Sequence, residues 1–354
     1  MRTERIIIYL VLLLVIFGLI MIGSSSVVDA TRDFSDKWYY FKLQSLWAII
    51  GFIGLLVARK FPVHKLEKLS LPLLGISMLL LVLVLIPGIG IKILGARRWI
   101  NLGFTSFQPS EIVKLTLAIY FSSLLKHTDR FLQFCFILAA VSGLVILQPD
   151  IGTAIIIILS AFTIYSASQN SLRKLLILFP LGIVLATALI FVAPYRLARL
   201  RTFMDQSHDP LGSSYQIRQA LLGLGSGGIT GLGLGQSRQK YQFLPEVTTD
   251  SIFAVIGEEL GLIGTAGLVL AFLALSLTGF EIARKASSPF FRLLAIGVTS
   301  VVSSQALINI SANIALLPYT GIPLPFISYG GTSLVILMVG MGIVANIAAS
   351  SSHG

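Results

Sequence analysis

Asp250 is the carboxylate in this sequence best placed to do chemistry. It ends the run Leu244-Pro245-Glu246-Val247-Thr248-Thr249-Asp250 and stands directly before a long apolar segment that carries two more acids, Glu258 and Glu259. Acids within an apolar segment are costly, and they mark functional or paired positions. As a general base, Asp250 could take the proton of an attacking hydroxyl. Following a threonine at the start of a helix, it could equally serve as a cap. The helix dipole lowers its pKa, which leaves room for a third role, binding a divalent ion that acidifies a substrate hydroxyl. On a helix Glu258 lies about 12 Å beyond Asp250, so the glutamates do not share that ion. They are expected to pair with Lys114 or with an arginine of another helix, and Glu259 reads as a buried structural partner.

Two cations, Arg238 and Lys240, lie just upstream, and before them glycines recur in the run GLGSGGITGLGLG from Gly223. No strand precedes the run within a βαβ unit, so it does not read as a dinucleotide fingerprint. Two readings stay open: a flexible turn, or bare backbone N–H groups that meet a phosphate together with Arg238 and Lys240. The cations and the carboxylate together suggest an anionic, lipid-linked substrate. The chain has no Walker motif, no Cys/His cluster and one cysteine, Cys135. No nucleotide cofactor, zinc site or disulfide is therefore expected, and Cys135 reads as packing.

The elements that must position these residues follow from composition. The chain is 55% hydrophobic and 12% charged, with a mean hydropathy of +0.90, whereas soluble domains carry about 25% charged residues. It reads as an all-α polytopic membrane protein. The net charge of +11 falls between apolar spans, where it sets topology and meets anionic headgroups, so no nucleic-acid partner is expected. Ten transmembrane helices are expected, near residues 6–22, 41–58, 69–86, 111–125, 131–147, 151–167, 175–192, 251–280, 293–317 and 331–349, within one domain of residues 1–354. The first run is longer than a signal-peptide core of about 7–15 residues and is read as retained. Ser110 is expected to cap the fourth span, with Pro109 before it and Glu111 in its first turn. Gln148-Pro149-Asp150 must be a tight bend at the surface. Residues 193–249 form a large extracytoplasmic loop between helices 7 and 8, with a short interfacial helix from Tyr215 to Leu224. The placement of Lys and Arg puts both termini in the cytoplasm and this loop outside.

Several stretches carry a resemblance: Gly225 to Gly228, Gly231 to Gly235, Ser237-Arg238-Gln239-Lys240, Leu244-Pro245-Glu246, Thr249 to Glu259, and Pro323 to Ser333. Gly95 to Trp99, Gln108 to Glu111 with Lys114, and Gln148 to Thr153 add to it. In order and over nearly the whole chain, they resemble the SEDS family of FtsW, RodA and SpoVE, and the stretch from Ser237 to Lys240 looks more like the division branch, FtsW. The resemblance implies a peptidoglycan glycosyltransferase of the bacterial cytoplasmic (inner) membrane that polymerises lipid II into glycan strands on the outer face, in division or elongation. It implies Asp250 as the catalytic residue and as a ligand for a divalent cation, Mg or Mn. Arg238, Lys240, Arg97, Lys114, Glu258 and Ser328 are the candidate substrate-binding residues. Thr248 stands where many members have histidine, so no role of that histidine carries over. Implied partners are lipid II, the nascent glycan strand, a class B penicillin-binding protein and other division or elongation proteins. A lipid II flippase would share the ten spans, but its key charges belong near the midplane. A non-catalytic scaffold would need the fold and not the aspartate.

Overall fold

In hydrocarbon, backbone N–H and C=O groups must bond within the protein, so long apolar runs become helices. The computed structural model describes residues 2–93, 95–101, 103, 105–127, 129–168, 173–174, 214–241 and 244–351. Its helices are α1 (Arg2–Ser25), α2 (Val27–Phe34), α3 (Tyr39–Lys60), α4 (Val63–Leu83), α5 (Pro109–Leu125), α6 (Phe131–Leu147), α7 (Ile151–Ala167), α8 (Tyr215–Gly227), α9 (Ile252–Arg284), α10 (Pro289–Asn313) and α11 (Gly331–Ser350). Six of these, α1, α3, α4, α9, α10 and α11, are long and apolar enough to cross a membrane, and α6 and α7 are shorter apolar helices. The chain is a polytopic membrane protein. The span expected at 175–192, and the loop as far as residue 213, lie outside the described residues.

The all-α expectation needs one correction, because residues 90–107 form a small antiparallel sheet of β1 (Gly90–Ile93), β2 (Ala96–Asn101) and β3 (Ser106–Phe107), in the order β1-β2-β3. Its register sets Gly90 opposite Ile100 and Lys92 opposite Arg97, with an irregularity between Ile91 and Lys92. The sheet ties down the bend between α6 and α7. Arg98 donates its Nε to the Gln148 carbonyl at 3.1 Å and an Nη to the Pro149 carbonyl. Asp150 then caps α7, accepting from the Thr153 N–H at 3.1 Å and its hydroxyl at 2.9 Å. Ser110 does not cap α5. The chain turns helical two residues earlier than expected, with Gln108 at the cap position and Pro109 in the first turn, where its missing N–H costs nothing. Ser110 is fully buried, with no partner for its hydroxyl among the described residues.

Lipid does not drive helices together by the hydrophobic effect, so close packing of small residues has to hold them. The contact between α3 and α11 is of this kind: a Cβ on Gly342 would lie 2.5 Å from the Leu55 carbonyl oxygen, and one on Gly51 2.6 Å from the Met338 sulfur. One apolar core runs through α1, α3, α9, α10 and α11, and a second joins α4 to α7.

Helix α9 is broken at Gly261, whose φ of 66° and ψ of −162° are not helical. Before the break every residue from Ile252 to Glu259 is buried; after it burial recurs only every three or four residues. The first part is thus an internal stub and the second a membrane-facing span.

Candidate active site

Asp250 sits two residues before α9, and Ser251 occupies the cap position without a side-chain cap bond. Three consecutive carbonyls hold the Asp250 backbone in place. The Thr248 carbonyl accepts from the Tyr329 N–H at 2.8 Å, and the Thr249 carbonyl from the Ser328 hydroxyl at 2.5 Å. The Asp250 carbonyl accepts from the side-chain amides of Asn309 at 2.9 Å and Asn313 at 2.8 Å. Asp250 is 9% exposed as a residue, and its Oδ1 lies 3.4 Å from Gln216 Nε2, which also donates to the Ser251 hydroxyl at 2.9 Å. Gln216 belongs to α8, which fits tightly on the stub. Ile217 and Ala220 point inward, and a Cβ on Gly227 would lie 1.9 Å from the Gly257 carbonyl oxygen. Tyr319 lies near as well: burial, and then the charge of Asp250, push its phenol pKa up.

The glycine run serves the break in α9. The N–H groups of Leu232 and Gly233 donate to the carbonyls of Glu258 and Glu259, both at 3.0 Å, while those of Leu262 and Ile263 donate to Gly228 and Ile229 at 2.9 and 3.1 Å. These are the groups that a regular helix would have paired with one another across Gly261. Positive φ at Gly231 and Gly233 lets the loop come this close. The run is thus neither an open turn nor a bare phosphate cradle.

Glu258 and Glu259 hold the next segment. The Glu258 carboxylate accepts from the Ser237 hydroxyl at 2.5 Å, the Arg238 N–H at 3.0 Å and the Gln239 N–H at 3.3 Å. Glu259 pairs with Lys240 at 3.2 Å and accepts from the Ser24 hydroxyl at 2.7 Å. So the anion gathered by these amides is the protein's own. Lys240 is buried, its ammonium also donating to the Gly235 carbonyl, while Arg238 is exposed on the clamped loop. The pairing expected between Lys114 and these glutamates is replaced: Lys114 binds Glu111 and Gln305, both at 2.9 Å, deep between α5 and α10. Ser328, also buried, donates to Thr249 and accepts from the Leu324 N–H at 2.8 Å. Arg97 stands apart on β2. Sequence reasoning missed Ser24, Asn309 and Asn313, although amides at positions 305, 309 and 313 of an apolar helix are a legible signal.

Among the described residues no three His, Cys, Asp or Glu side chains come together as a metal cage. A magnesium-like ion can be held by a single protein carboxylate when substrate phosphates complete its shell, and Asp250 is the carboxylate that the resemblance implied for such an ion.

The chain matches the profile of the cell cycle protein family FTSW_RODA_SPOVE over residues 4–353. It is 38% identical to a probable peptidoglycan glycosyltransferase FtsW of Trichlorobacter lovleyi, over 98% of this chain and 93% of that one. It is 36% identical to stage V sporulation protein E of Bacillus subtilis, over 99% and 98%. Among solved structures it resembles a chain of a peptidoglycan synthase complex that coordinates polymerization and crosslinking, with a TM-score of 0.81 at 28% identity, covering 98% of each. It also resembles the rod shape determining protein RodA of Thermus thermophilus, with a TM-score of 0.72 at 27% identity, covering 97% and 96%. With its broken helix, its clamped loop and a match along almost its entire length, the chain belongs to the FtsW, RodA and SpoVE family of cell cycle proteins.

Proposed function

We propose that the chain is a peptidoglycan glycosyltransferase that polymerises lipid II on the outer face of the bacterial cytoplasmic membrane. The observation that carries this reading is the fixed backbone of Asp250, with the carbonyls of residues 248, 249 and 250 all bound. A general base must be held within hydrogen-bond reach of its proton, and a backbone tied at three successive peptides meets that demand.

The acceptor's GlcNAc 4-hydroxyl attacks the anomeric carbon of the lipid-linked donor. As the new C–O bond forms, the bond to the pyrophosphate oxygen breaks, undecaprenyl pyrophosphate leaves with the electron pair, and the hydroxyl proton passes to Asp250. Arg238, exposed on a loop that Glu258 holds, meets the charge of the leaving group. Lys240, Glu258 and Ser328 act by holding Arg238 and Asp250 in place, and Lys114 by anchoring α5 to α10. A bound Mg or Mn would supply charge neutralisation at the pyrophosphate, with Asp250 as its protein ligand. A groove of about 500 Å³ lies between α1, α3 and the clamped loop, lined by Leu19, Trp38, Phe41 and Tyr241, with Lys240 and Ser24 also in its lining. Its apolar lining suits an isoprenoid chain.

Ten spans in one domain, cytoplasmic termini and an outward-facing loop at 193–249 complete the proposal, supported by the six long helices with α5, α6 and α7. Because a structural neighbour belongs to a complex coordinating polymerization and crosslinking, a class B penicillin-binding protein is the proposed partner. The FtsW relatives favour the division branch. The test is polymerisation of labelled lipid II by the purified protein, with and without that partner and a divalent cation. A glycan ladder from wild type that Asp250→Asn abolishes, with folding and partner binding intact, is the expected result. Unchanged synthesis by the folded variant would remove Asp250 from the chemistry. Lipid II movement across vesicles without any synthesis would favour a transporter.

A further inference from the structure

Gln305, Asn309 and Asn313 recur every four residues on α10, so they share one helix face. All three are buried, at 2% exposure or less, where an unpartnered amide is costly. They form a continuous polar ladder. At its foot Lys114 donates to Gln305 Oε1 at 2.9 Å, and Gln305 Nε2 donates to the Pro323 carbonyl at 3.0 Å. Asn309 Nδ2 donates to the carbonyls of Ile322, at 2.8 Å, and Asp250. Asn313 Nδ2 donates to Asp250 and to the Asn309 carbonyl at 3.0 Å, while Asn313 Oδ1 accepts from the Tyr319 hydroxyl at 3.1 Å.

The ladder ends on one atom, the Asp250 carbonyl oxygen. In a regular helix that oxygen would accept from the Ala254 N–H, but here this donor goes to Ser251 at 3.1 Å. The α10 amides take its place, and two donors on one carbonyl fix both the position and the tilt of the peptide. We propose that Asn309 and Asn313 are positioning residues for glycosyl transfer, setting where the Asp250 carboxylate meets the acceptor hydroxyl. The inference rests on Asp250 being the catalytic group.

The experiment measures lipid II polymerisation and melting temperature for Asn309→Leu, Asn313→Leu and the double variant in proteoliposomes with the partner present. The control is Asn346→Leu, which removes a buried amide of α11 that donates to Ala58 and Phe61, remote in sequence from Asp250. Displacing a reacting group by about 1 Å costs on the order of a hundredfold in rate. The expected result is a fall in kcat of about tenfold for each single variant and about a hundredfold for the pair, with KM within about threefold. Asn346→Leu should lower the melting temperature and leave kcat unchanged. If the leucine variants do not fold, Asn313→Ala is the milder removal of the same donor and should show the same fall. Wild-type kcat in folded Asn309 and Asn313 variants, or an equal loss in Asn346→Leu, overturns the inference. Wild-type kcat in Asp250→Asn overturns the catalytic reading itself, a separate and distinguishable failure.

Discussion

Replacing Glu258 by Gln tests the clamp most directly, because the shape stays and one acceptor oxygen goes. Oε1 of Glu258 accepts from the Arg238 N–H at 3.0 Å, and Oε2 accepts from the Ser237 hydroxyl at 2.5 Å and the Gln239 N–H at 3.3 Å. Glutamine has a single carbonyl oxygen, so whichever way it turns, at least one of these donors faces an NH₂ group. A hydrogen bond to a charged group contributes about 1.5–3 kcal/mol. At about 1.4 kcal/mol per factor of ten, that is a loss of protection of roughly 10- to 150-fold. Hydrogen exchange followed by mass spectrometry over residues 235–241 reads this directly, since two of the three donors are backbone amides. Exchange at Arg238 or Gln239 should accelerate by that factor, with polymerisation falling as the guanidinium loses its fixed base. Unchanged exchange at both amides in folded protein would refute the view that Glu258 holds the loop.

Breaking the buried pair of Glu111 and Lys114 by Lys114→Met should cost about 3–5 kcal/mol, because it leaves a buried carboxylate without its cation; thermal unfolding should show most of this loss recovered in Glu111→Gln/Lys114→Met. On α2, burial raises the pKa of Asp29 above its ordinary value, with Asp33 and Glu246 adding to the shift and Arg32 opposing it. A carboxyl whose folded pKa is raised destabilises the folded state where it is ionised, so Asp29→Asn should melt higher than wild type at pH 8. That advantage should shrink as pH falls through the raised folded pKa, and it should vanish below the ordinary aspartate value of about 3.9; a constant difference across this range would contradict the assignment.

Hydropathy revealed the long helices because each carries its signal in a single run, as Ile6 to Ile22 does within α1. It did not reveal the sheet at 90–107. Glycine and paired arginines interrupt any alternation there, and Arg98 is held by carbonyls some 50 residues on, which no local pattern encodes. The cap of α5 was misplaced by a rule that favours serine over glutamine, although proline in the first turn decides the boundary. At the site, the positions of Asp250, Arg238, Glu258 and Glu259 stand out as charges in an apolar chain, but their partners do not. Glu258 and Glu259 were assigned to a distant helix, yet Glu258 and the lysine paired with Glu259 both engage the loop about 20 residues upstream, because the Gly261 break folds that loop back on the stub.

The three bound carbonyls also set an order on the birth of the protein. Asn309, Asn313, Ser328 and Tyr329, which donate to the carbonyls of residues 248 to 250, all come from later in the chain, the last being Tyr329 on Thr248, and Ser328 is 79 residues beyond Thr249. At a synthesis rate of about 5–20 residues per second, Asp250 therefore waits roughly 4–16 s after its own incorporation before the pieces that hold it exist. A nascent chain halted before residue 309 has its acid and none of these tethers. The restraint on these three peptides is therefore among the last features that synthesis of the chain supplies.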